Sequence, residues 1–302
     1  MSLTPGVPIP GGHGGDGAAV AAALGLAPSD VLDLSASLNP LAPDPAPLVR
    51  CHLDVVGRYP DEQMARRARQ ALAEAMRVDP DRLLLTNGGA EAISLVAGAV
   101  GGHVDEPEFS LHPRGGGGPR WRSNPHNPTG LLAGQEEKAG VWDEAFYPLA
   151  TGCWTRGDDS AAVVGSLTKL FACPGLRIGY VLADPSRVQT LAGRQPAWAV
   201  NGLALAVLPE MLARSDLPGW ANGIAVLRRQ LTELLRGHGL DPLESDANFV
   251  LCRHASGLRE RLIPHRVVVR DCTSFGLPDH ARVAVPDQRG FALLARALER
   301  AA

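Results

Sequence analysis

The sequence predicts an α/β protein, a large α/β domain followed by a small α+β domain at the C-terminus. Three observations carry this. Buried apolar runs alternate with helical segments through the first two thirds of the chain. A strand, a glycine turn and an apolar helix follow one another over 82–100, the opening of a β-α unit. A long amphipathic stretch at 217–237 then gives way to the short strands ANFVLC, RVVV and ARVAV, with a helix between the first two and a closing helix, QRGFALLARALER.

Taken in order, residues 1–60 are rich in Gly, Pro and Ala and hold few periodic segments. Within them VLDLSASLNPLAP reads as a short strand running into a turn at Asn39-Pro40. Apolar Met64, Ala68, Leu72 and Met76 are spaced for a helix over 61–78. RLLLT (82–86) is a buried strand, Asn87-Gly88-Gly89 a turn, and 90–100 an apolar helix. AAVVGSLTK ends another buried strand near Gly165, and RIGYVLA (177–183) is a third. SRVQTLAGR and LALAVLPEML follow as helices. The expected organisation is an arm at 1–45 that joins the small domain, a large domain at 46–205 and a small domain at 206–302.

Composition narrows the function. The chain has 302 residues, 20% charged and 45% hydrophobic, with a net charge of −3, so no nucleic-acid partner is expected. MSLTPGVPIPGG lacks the basic and apolar regions of a signal peptide, and no apolar run is long enough for a membrane span. A soluble, cytoplasmic protein without a membrane partner is the expectation. Five scattered cysteines form no C-x-x-C pair and read as reduced thiols, and nine histidines show no metal-ligand spacing, so no metal site is expected.

Of 29 basic residues only Lys138 and Lys169 are lysine. A lysine kept in an arginine-rich chain suggests a task that Arg cannot perform, and forming an imine needs a primary amine that loses its proton. Lys138 lies in the polar run GQEEKAG and reads as a solvated charge, whereas Lys169 sits between apolar stretches. Two rival motifs fail their context. GHGGDG (12–17) follows Pro-rich coil rather than a strand, against a dinucleotide site. Ser166-Leu-Thr-Lys169 matches S-x-x-K, but no K-T-G or S-D-N accompanies it, against a serine acyl-enzyme.

The order TNGGAEAI, NPHNPTG, DEAF and SLTKLFACPGLRIGY places the parts of a site for pyridoxal 5′-phosphate. Gly88, Gly89 and Ala90 at a helix start offer N–H groups to a phosphate. Asp143 at a strand end suits the pyridine nitrogen, Asn127 the phenolic oxygen, and Ser166 and Arg177 the phosphate dianion.

These motifs, with His13-Gly14-Gly15, LDLSASLNPL (32–41), Tyr59-Pro60-Asp61 and RDCTSFGLPDHARVAV (270–285), resemble the class I/II aminotransferases of pyridoxal-phosphate fold type I. Within them the chain is similar to the histidinol-phosphate aminotransferase and threonine-phosphate decarboxylase branch. The resemblance covers nearly the whole length. It implies a mostly parallel, seven-stranded type of sheet and a homodimer. Lys169 is then the Schiff-base lysine and proton shuttle, and Asp143 the partner of the pyridinium. Asn127 meets the phenolic oxygen, and Gly89, Ala90, Ser166 and Arg177 hold the phosphate. Tyr59 reaches the neighbouring subunit's cofactor, Phe109 stacks on the ring, and His112 lies behind Asp143. Arg282 binds the substrate carboxylate, while His13 and Arg270 meet a distal phosphate. The implied reaction is decarboxylation of L-threonine O-3-phosphate to aminopropanol phosphate, of the cobalamin-pathway type. The alternatives are an aminotransferase acting on a phosphorylated or other small amino acid, and a degenerate, non-catalytic homologue that only binds the cofactor. Phe146 stands where many members have tyrosine. Between Phe109 and Asn124, and again from Gly130 to Asp143, the chain is too short for the usual elements, so one edge strand and its helix are expected to be missing and one crossover abbreviated.

Overall fold

The computed structural model describes residues 8–301; residues 1–7 of the expected arm and Ala302 lie outside the described residues. The arm carries helix α1 (Gly17–Ala23) and strand β1 (Leu32–Leu34), and helix α2 (Ala46–Cys51) opens the stretch expected to form the large domain. Helix α3 (Glu62–Met76), strand β2 (Leu83–Thr86), helix α4 (Gly88–Val100), and strands β3 (Trp121–Ser123) and β4 (Val141–Asp143) follow. Next come α5 (Tyr147–Thr151), β5 (Ala162–Ser166), α6 (Leu167–Leu170), β6 (Gly179–Leu182), α7 (Pro185–Ala192) and α8 (Gly202–Ala213). The long helix α9 (Leu217–Gly237) leads to β7 (Asp241–Pro242), β8 (Phe249–Arg253), α10 (Leu258–Leu262), β9 (Val267–Asp271), β10 (Ala281–Ala284) and α11 (Gln288–Ala301).

The first sheet has the order β2-β6-β5-β4-β3. β3, β4 and β5 pair in parallel, and β6 runs antiparallel to both β5 and β2, so four of the five strands point the same way. β4, β5 and β6 are almost wholly buried, as strands covered on both faces must be. Alternate side chains enter different cores. Trp142, Val163 and Tyr180 pack with Leu72 of α3 and Leu208 of α8. Val141, Val164 and Val181 pack with Ile93 and Val96 of α4 and Leu191 of α7. Asp61 caps α3 by accepting from the Met64 N–H at 2.7 Å, a contact of about 1 kcal/mol.

The second sheet has the order β1-β9-β10-β8-β7. Its core joins Val250, Val269 and Val283 to Leu231 and Leu235 of α9 and Leu294 and Leu298 of α11. β1, from the arm, pairs in parallel with β9. The Asn248 amide donates to the carbonyls of Ser37 and Leu38, and the Asn39 amide donates to the Leu170 carbonyl. The segment between β1 and α2 is thereby tied to both sheets.

Two expectations are corrected. Gly88 and Gly89 are not a turn ahead of the helix but its first residues, because Gly88 adopts a φ of +76° and lets α4 start directly after β2. The shortening also goes further than the loss of one edge strand. Among the described residues the sheet has five strands, two fewer than the seven-stranded type, and an isolated bridge between His103 and Arg120 marks where a further strand would pair. Residues 101–120 must return from α4 to β3 and also form a compact loop, which leaves no run long enough for a crossover helix.

Candidate active site

Because β2, β3, β4 and β5 run in the same direction, their C-terminal ends share one edge of the sheet, where α/β proteins bind ligands. Asn87, the Asn124–Asn127 stretch, Asp143 and Ser166 all follow or end these strands. Gly179, which opens β6, pairs with both Thr86 and Ser166. A Cβ on Gly179 would lie 2.6 Å from the Gly88 carbonyl carbon and 2.8 Å from the Gly89 nitrogen, so glycine lets the start of α4 close on the sheet. A Cβ on Gly88 would lie 2.5 Å from the Arg177 guanidinium, and one on Gly89 would lie 3.3 Å from the Ser166 Cβ. Gly88, Gly89, Ala90, Ser166 and Arg177 therefore surround the N-terminus of α4, whose first N–H groups have no partner within the helix.

Lys169 follows Ser166 on the single turn α6, and Asn39 grips that turn by donating its backbone N–H to the Lys169 carbonyl at 3.0 Å. Burial, then the charges of Arg282 and Arg177, lower the Lys169 ammonium to about 8, against the weaker pull of Asp33 and Asp143. Arg282 is buried and donates to Asn127 Oδ1. Its guanidinium lies 4.5 Å from the Phe249 ring centre, and among the described residues no carboxylate pairs with it. Burial pushes it down to about 10. A buried guanidinium with no carboxylate partner among the described residues has the chemistry to receive an anion, since an uncompensated buried charge is costly.

Asp143 accepts from the Ala145 N–H through Oδ1, and its Oδ2 lies 3.0 Å from His112 Nε2. Burial would lower the His112 imidazolium, but the hydrogen bond to Asp143 and the nearby Glu108 carboxylate hold it up at about 9. The loop that carries Phe109 and His112 is stapled by Arg114. Its guanidinium donates to the carbonyls of Glu108, Phe109, Ser110 and His112 and to both carboxylate oxygens of Glu106. The Phe109 ring stands edge-on to His112 at 5.7 Å and to His13 at 5.8 Å.

His13 reaches this loop on an N-terminal strap. The Gly15 N–H donates to Ser35 Oγ, the Gly17 N–H to Asp33, and Arg259 pairs with Asp16. Arg270 serves the strap as well. It donates to the carbonyls of Gly11 and Gly12 and to Ser274 Oγ, while its buried Nε has no partner.

The cluster thus unites Lys169, Asp143, Asn127, Gly89, Ala90, Ser166, Arg177, Phe109, His112 and Arg282, with His13 and Arg270 at its margin. Tyr59 stands apart, 77% exposed and stacked on the exposed Trp198 at 4.6 Å. A cleft of about 610 Å³ lined by Pro60, Arg66, Arg69 and Trp198 lies beside it and not at Lys169. Sequence reasoning missed Asn39 and Glu108. Asn39 had a signal in the Asn-Pro turn; Glu108, in the polar-looking run EPEFS, had none. Among the described residues no cluster of potential metal ligands is found.

The donor set suits pyridoxal phosphate. A helix N-terminus with Arg177 and Ser166 matches a phosphate dianion, a carboxylate at a strand end matches a pyridinium, and a lysine near pKa 8 matches an aldehyde. The site and the sheet together define a pyridoxal-phosphate-dependent enzyme of fold type I. Residues 121–298 match the aminotransferase class I and II family, and the chain belongs to that family. A threonine-phosphate decarboxylase from Sinorhizobium sp is 30% identical over 330 residues, covering 95% of this chain and 97% of that protein. A histidinol-phosphate aminotransferase from Symbiobacterium thermophilum is 27% identical over 319 residues, covering 86% of this chain and 88% of that protein. The crystal structure of histidinol-phosphate aminotransferase from Sinorhizobium meliloti in complex with pyridoxal-5′-phosphate superposes with a TM-score of 0.79 at 19% identity, covering 94% of this chain and 93% of that one. That likeness concerns the fold.

Proposed function

We propose that the enzyme decarboxylates L-threonine O-3-phosphate to aminopropanol phosphate. The observation that carries this reading is the N-terminal strap, which sets His13 against Phe109 and within 3.4 Å of Ser110 Oγ, with Arg270 behind it. His13 offers a distal phosphate a place at the margin of the anion site, and Arg270, bonded to the Gly11 and Gly12 carbonyls, holds the strap that carries it and adds positive charge behind it. The similarity to a threonine-phosphate decarboxylase over nearly the whole of both chains supports it.

In this reading Gly89, Ala90, Ser166 and Arg177 hold the cofactor's phosphate, Asn127 faces its phenolic oxygen and Phe109 stacks on its ring. Asp143, backed by His112, keeps a proton on the ring nitrogen. When bound, pyridoxal phosphate would supply an electron sink for the bond that breaks at Cα. Arg282 holds the substrate carboxylate and so sets which bond that is. Lys169 would hold the cofactor through its amine and would deliver the proton that replaces CO₂ at Cα. The enzyme works as a homodimer in which the exposed Tyr59 reaches the partner's site.

A second reading, transamination of a phosphorylated amino acid, is favoured by the similarity to histidinol-phosphate aminotransferases. Incubation with pyridoxal phosphate and L-threonine O-3-phosphate separates the two. Release of CO₂ without a keto acid is the expected result. A requirement for a keto acid, with no CO₂, would establish transamination instead.

A further inference from the structure

Glu108 is a buried carboxylate that the reading above leaves unused. It is 1% exposed, yet its surroundings hold it as an anion. Oε1 accepts from the Ser123 N–H at 2.6 Å, and Oε2 accepts from the Ser123 hydroxyl at 2.6 Å and the Phe109 N–H at 2.8 Å. Oε2 also lies 3.4 Å from His112 Nδ1, too poorly aimed for a good hydrogen bond but close enough for an ion pair. The other ring nitrogen of His112 meets Asp143 at 3.0 Å. The three groups form a buried line, carboxylate, imidazole, carboxylate.

A neutral imidazole has one N–H and one lone pair. Between two carboxylates the lone pair would face an anion in a poorly solvated site, so the geometry requires the imidazolium. Other neighbours do not compete for this role. Trp121 packs on His112 and donates its indole N–H to the Gly101 carbonyl. Arg114 is bound to loop carbonyls and Glu106. His126 lies 3.9 Å from Glu108 Oε1 but hydrogen-bonds the Pro107 carbonyl and Thr129, and burial, with Arg122 also acting downwards, favours its neutral form. Glu137 pairs with Arg120 and Arg122.

We propose that Glu108 is a positioning residue that locks His112 as an imidazolium and thereby fixes the charge of the Glu108–His112–Asp143 line at −1. The directions of titration agree. Burial would raise Glu108, but the contacts with His112 and Ser123 hold it down at about 2, and His112 is held up at about 9. Near neutral pH, with both carboxylates ionised and His112 protonated, the line carries one net negative charge, which suits a protonated ring nitrogen. Without the Glu108 charge, His112 would change its protonation inside the working pH range, and the field at Asp143 would change with it. The consequence for the ring nitrogen rests on the reading that Asp143 faces the cofactor; the hold of Glu108 on His112 does not.

The test is a histidine NMR titration of the cofactor-free protein from about pH 5 to about pH 9, with the His112 resonance assigned by its loss in His112→Asn. In the wild type His112 is expected to stay doubly protonated through about pH 8, and in Glu108→Gln its midpoint is expected to fall by at least about one pH unit. Ser123→Ala, which removes a donor to Glu108 but keeps its charge, is expected to leave the midpoint above about 8. A wild-type midpoint in the ordinary histidine range overturns the proposal even if Glu108→Gln fails to fold. An unchanged midpoint in Glu108→Gln, or equal shifts in Glu108→Gln and Ser123→Ala, also overturns it. Cofactor binding is followed separately by absorption. A shifted His112 in a protein that binds no pyridoxal phosphate would sink the cofactor reading and not the role of Glu108.

Discussion

At Lys169, burial and then the charges of Arg282 and Arg177 lower the amine to about 8 from 10.5, which favours the unprotonated form that attacks an aldehyde. Arg282 pays for that arrangement, because it is buried with no carboxylate partner among the described residues. Replacing it by Leu is expected to leave the thermal midpoint unchanged or higher, while kcat/KM for the amino acid falls at least about a hundredfold, or about 2.7 kcal/mol. A midpoint lowered by several degrees would make Arg282 a structural group instead. The Glu108–His112 pair gives a pH signature. His112 is raised from 6.5 to about 9, so its contribution is complete below 6.5 and is lost as pH rises through about 9. Glu108 is lowered from 4.5 to about 2, so its contribution is present above 4.5 and is lost as pH falls towards 2. The thermal midpoint measured against pH should therefore decline from neutral to alkaline pH, and less steeply in Glu108→Gln. Equal alkaline slopes would contradict this. At this scale the sequence was informative where a residue type was scarce, as with Lys169, or set in a recognisable run, as with Asp143. It was silent on Glu108, because the burial of a carboxylate depends on Ser123 fifteen residues away.

Among the elements, the start of α4 depends most on a single backbone conformation. Gly88→Ala must adopt a φ of +76° and push aside the Arg177 guanidinium. It is expected to cost about 1–2 kcal/mol in stability and to weaken pyridoxal phosphate binding, measured by absorption titration. Unchanged affinity would remove this helix N-terminus from the site. The 106–114 loop stands where a crossover is missing, and Arg114 holds it by several hydrogen bonds to backbone. Arg114→Ala should speed hydrogen exchange of the amides in 106–112 while leaving α9 and the second sheet protected. Exchange unchanged in the loop would show that packing, not Arg114, holds it. Long periodic segments such as α3 and α9 were legible from apolar spacing alone. β3, β7, α5 and α6 were not, because elements of two to five residues carry too little period to separate them from loops.

At the scale of the whole molecule, the two-sheet architecture followed from the alternation of strands and helices, whereas the pairing of β1 with β9 is a long-range contact that local pattern does not encode. The exposed Tyr59 gives the dimer a direct test. In the proposed reading Lys169→Ala would lack the imine-forming residue, and Tyr59→Ala would lack the cross-subunit contact. If Tyr59 acts on the partner's site, dissociating and re-pairing an equal mixture should restore about a quarter of wild-type activity, since half the dimers are hybrids with one intact site each. No recovery, with dimers confirmed by sedimentation, would place Tyr59 outside the site. The central claim is that Lys169 carries the cofactor, and the absorption spectrum of the purified protein with pyridoxal phosphate tests it most directly. A visible band that is present in the wild type and in Lys138→Ala, and absent in folded Lys169→Ala, is the predicted result; a band that survives in Lys169→Ala, or is missing from the wild type, would contradict it.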